Sequence, residues 1–152
     1  MDQLRIGELT KEMVAEELRL LGDPCATAAG VVRRALTAAL QSAPVEGTPA
    51  ARVIEDTVRG AMTALLLADQ SLPGGAVLVL GAVYGVAQEC NLDPTECMRA
   101  ALSALAELRR FVEPSRLDDI RLAIEAHYMG AGEVFTEFLR AQSASAPKSA
   151  PR

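Results

Sequence analysis

The sequence has few aromatic residues and little lysine. It contains no Trp, two Tyr and three Phe, and its only lysines are Lys11 and Lys148. Half of its residues are hydrophobic, mainly Ala, Leu and Val. Because Ala and Leu favour helices, whereas β-branched and aromatic residues favour strands, the composition predicts an all-α fold. The net charge of −5 argues against non-specific nucleic-acid binding, which depends on neutralising phosphates.

Recognisable motifs for catalysis or cofactor binding are also missing. The chain has no phosphate-binding loop, dinucleotide-binding glycine motif, nucleophile elbow, zinc-finger spacing or basic helix-turn-helix. The spacing of Cys90 and Cys97 fits no zinc pattern, and with Cys25 the cysteines are odd in number, which is typical of a reducing compartment. The first residues lack the basic and apolar regions of a signal peptide. We therefore expect a cytoplasmic protein with no cofactor or metal, and a non-enzymatic role is favoured over an enzymatic one, which stays open.

Prolines divide the chain into segments of helical length. Pro24, Pro49, Pro73, Pro94 and Pro114 are spaced 20 to 25 residues apart. Proline suits the first turn of a helix, because the N–H that it lacks would be unpaired there. The spacing predicts a single-domain bundle of six or seven helices, mostly antiparallel neighbours joined by short connections that begin with proline. We expect this bundle over residues 1–142 and a disordered tail over residues 143–152, which is rich in Ser, Ala and Pro.

Local capping signals refine these boundaries. Asp93 precedes Pro94 and is followed three residues later by Glu96, which predicts a capped helix start. Ser115 repeats that spacing with an aspartate three residues on. The first helix is expected to end at Gly22, and residues 72–75 are expected to form a turn.

The segment from residue 60 to residue 88 is the least polar part of the chain, because Asp69 is its only charged residue. We expect Ala76–Ala87 to be a central helix buried on nearly all faces. Its 12 residues rise only about 18 Å, against roughly 30 Å of bilayer hydrocarbon. Gly81 and Gly85 would let another helix approach closely. Membrane contact is the alternative interpretation of this segment.

Aromatic residues concentrate near the C-terminus. Tyr128, Phe135 and Phe138, together with Leu139, either form an association surface or close the end of the bundle. Since the chain has more apolar helix surface than one small bundle needs, we expect a symmetric homodimer. Its contacts are expected either in the Tyr128–Leu139 segment or on the face formed by the two glycines of the central helix.

A short sequence pattern recurs three times, at Ala35–Ala38, Ala61–Ala64 and Ala101–Ala104. The spacings of 26 and 40 residues are unequal, whereas repeat proteins show a steadier period. Shared packing chemistry is therefore the favoured interpretation, and a helical-repeat layout is the less favoured one.

The leading functional hypothesis is a non-enzymatic interaction or structural module that self-associates or binds another protein. One alternative is a protein of lipid or granule surfaces, which resembles phasins in composition only: alanine-rich, helical and equipped with an Ala/Pro/Ser/Lys tail. A second alternative is a small ligand-binding protein or enzyme that uses His127 for acid–base chemistry. For His127 itself, a partly buried and hydrogen-bonded position is the expected one.

Overall fold

The computed structural model describes residues 4–18, 23–42 and 50–145, and every regular element in these ranges is helical. The all-α prediction is therefore confirmed for the described part of the chain. Its seven α-helices are α1 (Leu4–Leu18), α2 (Pro24–Ser42), α3 (Ala50–Leu67), α4 (Leu72–Glu89), α5 (Pro94–Ala106), α6 (Pro114–His127) and α7 (Ala131–Ser145), and α5 continues into a 3₁₀ turn, Glu107–Arg110.

The helices are arranged in two rows of alternate elements. The most extensive contact of α1 is with α3, and α3 in turn packs on α5, which packs on α7. The second row consists of α2, α4 and α6. Contacts between the rows join them around a common core. Stacked helix pairs in which alternate helices touch are the arrangement found in helical-repeat proteins.

Within the second row, α2 and α4 run in the same direction. Near the start of α2, the Cys25 thiol donates a hydrogen bond to the Ser71 carbonyl, which immediately precedes α4, at 3.4 Å. Further along α2, Arg33 forms an ion pair with Glu89, the last residue of α4. Two contacts in the same order along both helices fix this parallel orientation.

The pair α5 and α7 shows the same parallel orientation in the first row. The Arg99 guanidinium lies 5.2 Å from the centroid of the Phe138 ring. One turn further on, the Gln142 side-chain amide donates to the Ser103 carbonyl at 3.0 Å. Arg109 then donates to the Gln142 carbonyl at 2.8 Å, close to the C-terminal end of α7, where a cation is favourable.

Glycine allows α1 to lie directly on the backbone of α3. A Cβ atom on Gly60 would meet the Gly7 carbonyl oxygen at 2.2 Å, so nothing larger than glycine fits there. Beside this crossing, the buried Asp56 carboxylate accepts the Gly7 N–H at 2.8 Å. Arg59 donates to Asp56 at 3.1 Å and, with two parallel bonds of 2.8 and 2.9 Å, to Glu107. One polar network thus connects α1, α3 and the 3₁₀ turn.

The core lies between the two rows and takes side chains from all seven helices. Its largest fully buried side chain is Phe135, which has no exposed surface. The other large core side chains are aliphatic: Leu36, Ile54, Met62, Leu65, Leu72, Leu80, Leu105, Ile120 and Ile124. The smaller spaces are filled by alanines, as expected for close helix packing.

The expected turn over residues 72–75 is the first turn of α4 instead. Ser71 is the N-cap, and its hydroxyl accepts the Gly74 N–H at 3.2 Å. Pro and Gly are compatible with a first turn, where backbone N–H groups need no helical partner. The chain reverses earlier, where Asp69 adopts a left-handed conformation with φ of 58°.

Of the two predicted caps, one is confirmed and one is wrong. Asp93 is the N-cap of α5, and its carboxylate accepts the Thr95 N–H at 3.0 Å. For α6 the N-cap residue is Glu113, and its side chain makes no capping bond. Ser115 lies inside the first turn, because Pro114 occupies the first helical position.

The C-terminal helix is longer than expected. Residues 143–145, which the sequence assigns to the tail, belong to α7. Residues 146–152 of the predicted tail lie outside the described residues. The same holds for the predicted helix end at Gly22 and for Pro49 as a helix start.

Replacing Gly60 by alanine is expected to destabilise the fold by about 1–3 kcal/mol, because the added methyl must push α1 away from α3. The matched control is Gly30→Ala in α2, where the new Cβ meets nothing closer than Arg34 at 3.7 Å. That variant should gain about 0.5–1 kcal/mol from the lower backbone entropy of the unfolded chain. Urea unfolding midpoints measure both, and equal effects of the two substitutions would contradict the α1–α3 crossing.

Replacing Asp93 by alanine should cost about 1 kcal/mol through loss of the N-cap of α5. Ser115→Ala is the control, because Ser115 is not a cap and its loss should leave the midpoint within about 0.5 kcal/mol of the parent. If the serine variant is the less stable of the two, the capping assignment is wrong.

Candidate functional site

The outward side of α4 is an uncharged surface with two exposed large hydrophobic side chains. The side facing the core is buried, but Leu78 is 42% exposed and Tyr84 is 41% exposed. Gly81 and Gly85 lie between them, half-buried. The expectation that Ala76–Ala87 is buried on nearly all faces is therefore wrong for this side, because α2 and α6 flank α4 without covering it. We call Leu78, Gly81, Tyr84 and Gly85 the α4 face.

Side chains from the neighbouring helices reach over both glycines. A Cβ on Gly81 would lie 3.1 Å from the Tyr128 hydroxyl oxygen, so the structure brings together residues from the two predicted interface segments. Burial raises the pKa of Tyr128. Over Gly85, a Cβ would lie 2.6 Å from Nη1 of Arg33, which forms the ion pair with Glu89. The close approach expected at these glycines is thus made within the chain.

The C-terminal aromatic residues mostly serve the core. Phe135 is fully buried, so it offers no surface to a partner while α7 is in place. Phe138 and Leu139 are half-buried against the core, and Phe138 is further covered by the Arg99 guanidinium. Of the four predicted interface residues in this segment, Tyr128 is the one that borders the α4 face.

His127 is exposed rather than partly buried, which corrects that expectation. Its Nδ1 lies 3.1 Å from the Ala123 carbonyl oxygen, one helical turn earlier, so the expected hydrogen bond is present. The ring stands at the end of α6, where its neighbours Ala126 and Met129 are also exposed. This position provides no enclosed environment for acid–base chemistry.

Two of the cysteines, Cys25 and Cys97, lie in positions that favour the protonated thiol. Burial, and secondarily the charge of Asp23, raises the pKa of Cys25, and burial with Asp93 close by does the same for Cys97. A thiol with a raised pKa is a weak nucleophile at neutral pH. Within the described ranges, no group of three or more His, Cys, Asp or Glu side chains is placed to hold a metal ion.

By length and composition alone, α4 is the one helix of the described chain that is apolar enough to cross a membrane. Half of that 18-residue window is buried inside the structure. A mostly apolar core helix meets the same criterion.

An internal carboxylate occupies the N-terminus of α7. Both oxygens of Glu125 accept the Gly130 N–H, at 3.1 and 3.0 Å, and one also accepts the Gly132 N–H at 2.9 Å. These backbone donors lower the pKa of Glu125. Gly130 has φ of +89°, which glycine adopts without strain. The groove beside this contact is lined by charges of both signs: Arg121, Glu125, Glu133, Glu137 and Arg140.

Sequence reasoning missed the contacts that define these surfaces. Arg33 and Glu89 are 56 residues apart, and no local pattern joins them. The contact of Glu125 with residues 130–132 is more local, and the Gly-Ala-Gly sequence there was its only signal. Comparison with protein-family models, curated proteins and solved structures finds no match for this chain.

Replacing Glu125 by glutamine should lower stability at neutral pH and have a smaller effect in acid. The pKa of Glu125 is lowered in the folded protein, so its carboxylate contributes to the free energy of unfolding at pH values above the ordinary carboxyl pKa. That contribution is lost as pH falls through the lowered folded-state pKa. Unfolding midpoints of both proteins between pH 7 and pH 3 measure the difference.

Glu137→Gln, on the exposed side of α7, is the control and should track the parent at every pH. A difference between parent and Glu125→Gln that grows as pH falls would contradict the assigned contact.

Proposed function

We propose that this chain is a cytoplasmic, non-enzymatic interaction module that self-associates as a symmetric dimer through the α4 face. Its helices would form one compact bundle, built as two stacked rows. The observation that carries the proposal is the exposure of Leu78 and Tyr84 on a helix that has no charge between Leu72 and Gln88. Aromatic and aliphatic side chains on an uncharged surface are typical of the centre of protein interfaces.

The two ends of the stack are less suitable for association. The outer surface of α7 carries Glu133, Glu137 and Arg140, all exposed. At the other end, α1 exposes Glu8 and Glu12. Repeat arrays require polar outer faces on their terminal units, and these charges supply them. Head-to-tail stacking of copies is therefore disfavoured, and the side of the α2–α4–α6 row remains as the association surface.

A second copy of the chain fits the α4 face better than a strongly charged partner. The four residues of the face are uncharged, and a residue of each sign borders them: Arg33, whose guanidinium lies over Gly85, and Glu89. Under two-fold symmetry such a surface is electrostatically complementary to itself, because each copy presents an acid and a base at the same place.

The dimensions of the face indicate a weak dimer. The 18 residues of α4 span about 27 Å, and a standard interface buries about 800 Å² on each partner. An association surface made of one helix and its two edges is small by this standard. We therefore expect a dissociation constant on the order of micromolar.

Binding to a lipid or granule surface is the second candidate, and the apolar length of α4 is the observation that favours it. Against it, half of the helix window is already buried in the chain, and the net charge of −5 is unfavourable at an anionic surface. No comparable observation favours chemistry at His127, whose ring is exposed and whose Nδ1 contacts a carbonyl.

Leu78→Lys should convert the dimer to a monomer that remains folded, because it places a charge on the apolar part of the proposed interface. Leu9→Lys is the matched control: Leu9 is 54% exposed, but it lies on α1 in the other row. Sedimentation equilibrium between about 1 and 300 μM spans the expected dissociation constant, and circular dichroism checks the fold.

A parent protein that is monomeric throughout this range would overturn the proposal. So would a Leu78→Lys variant that dimerises as tightly as Leu9→Lys. Flotation with neutral and anionic vesicles tests the second candidate. A parent protein that is monomeric and binds vesicles, together with a Leu78→Lys variant that does not bind them, would support a lipid surface as the partner.

A further inference from the structure

We infer that the Arg33–Glu89 ion pair opens when two copies associate and re-forms between them, so that Arg33 of each copy pairs with Glu89 of the other. This inference rests on the proposed dimer and names the device by which one copy recognises another. Three observations carry it: the position of Arg33 over Gly85, the exposure of the ion pair and the position of Glu89 at a helix end.

The Arg33 side chain covers Gly85, one of the two glycines of the α4 face. A Cβ on Gly85 would lie 2.6 Å from Nη1, 3.5 Å from Cζ and 3.6 Å from Nη2 of Arg33, so the whole guanidinium lies over the glycine. A helix of a second copy cannot reach the Gly85 backbone while the guanidinium occupies this space. Association through the α4 face therefore requires Arg33 to move.

The ion pair within one chain is easily broken. The side chains of Arg33 and Glu89 are 45% and 52% exposed, and exposed pairs contribute little because water and salt screen them. Arginine also has a long flexible side chain that reaches several positions. Moving the guanidinium away from Gly85 therefore meets little resistance.

Glu89 requires a cation after Arg33 has moved. It is the last residue of α4, where the partial negative charge of the helix end disfavours a carboxylate. In a dimer the carboxylate is also less hydrated, so an unpaired Glu89 is more unfavourable than in the monomer. A two-fold axis close to Gly85 sets the other copy's guanidinium beside this carboxylate, and the reciprocal pair forms by the same symmetry.

Charge reversal at each position tests the exchange. An Arg33→Glu chain presents two acids at the edge of the face, and a Glu89→Arg chain presents two bases. Each variant alone should dimerise about tenfold or more weakly than the parent, because like charges meet across the axis. An equimolar mixture should form a heterodimer near parental affinity, because every acid then faces a base of the other copy.

The two variants differ in mass, so native mass spectrometry resolves both homodimers and the heterodimer. The chain that carries both substitutions is the control for folding: it regains an ion pair of reversed sense and should dimerise like the parent. Thermal unfolding of each variant shows whether a lost dimer reflects a lost fold.

The outcomes separate the inference from the proposed dimer. A parent dimer that Leu78→Lys breaks, with charge variants that associate as tightly as the parent, overturns the exchange and leaves the dimer in place. Weak homodimers together with an equally weak mixture also overturn it, since the pair then acts only within one chain. If the parent is monomeric and the mixture of the two variants also stays monomeric, both the dimer and the exchange are overturned. If the mixture forms more heterodimer than either homodimer, the exchange is supported.

Discussion

The close approach of alternate helices depends on residues with little or no side chain. Gly60 lets α1 rest on the backbone of α3, and the short distance allows Asp56 to accept a backbone N–H of α1. A larger residue at this crossing would push the two helix axes apart, because the interaxial distance depends on the side chains at the contact. The Asp56 carboxylate, buried but not fully enclosed, would then lose a donor while still being removed from water. The alanines of α5 play the same part further along the row, since Ala100, Ala101 and Ala104 are buried between its neighbours.

The same design leaves one helix face uncovered. Within residues 4–18, 23–42 and 50–145, α4 has neighbours on its flanks and behind it, and no third layer lies in front. An ordinary amphipathic helix would place charges on that outward side. In α4 the outward residues are glycines, Leu78 and Tyr84, with the side chains of Arg33 and Tyr128 reaching in from the flanks. The functional proposal follows from this departure, because an apolar outward side is retained at a cost in solubility.

Local features of the fold were predictable from the sequence, and the packing was not. Asp93 could be assigned as a cap because the signal lies within three residues, whereas Ser115 was misassigned because Pro114 had already set the first helical position. The two rows depend on contacts such as Arg59 with Glu107, 48 residues apart, for which one sequence carries no signal. The recurring pattern at Ala61–Ala64 and Ala101–Ala104 was a partial signal: both segments lie in neighbouring helices of the same row with the same order of burial. The uncovered side of α4 was unpredictable for a different reason, because a helix that is apolar all round does not indicate which side its neighbours leave open.

The alternation of rows also sets the order in which the chain can fold during synthesis. The principal partner of α1 is α3, which is complete only when Leu67 has been made, roughly fifty residues after the end of α1. At about 5–20 residues per second, α1 waits several seconds in the absence of its partner. From α3 onwards, each described helix is synthesised after the preceding helix of its own row. Phe135 lies in α7, so its place in the core is filled only after the other six described helices have been made.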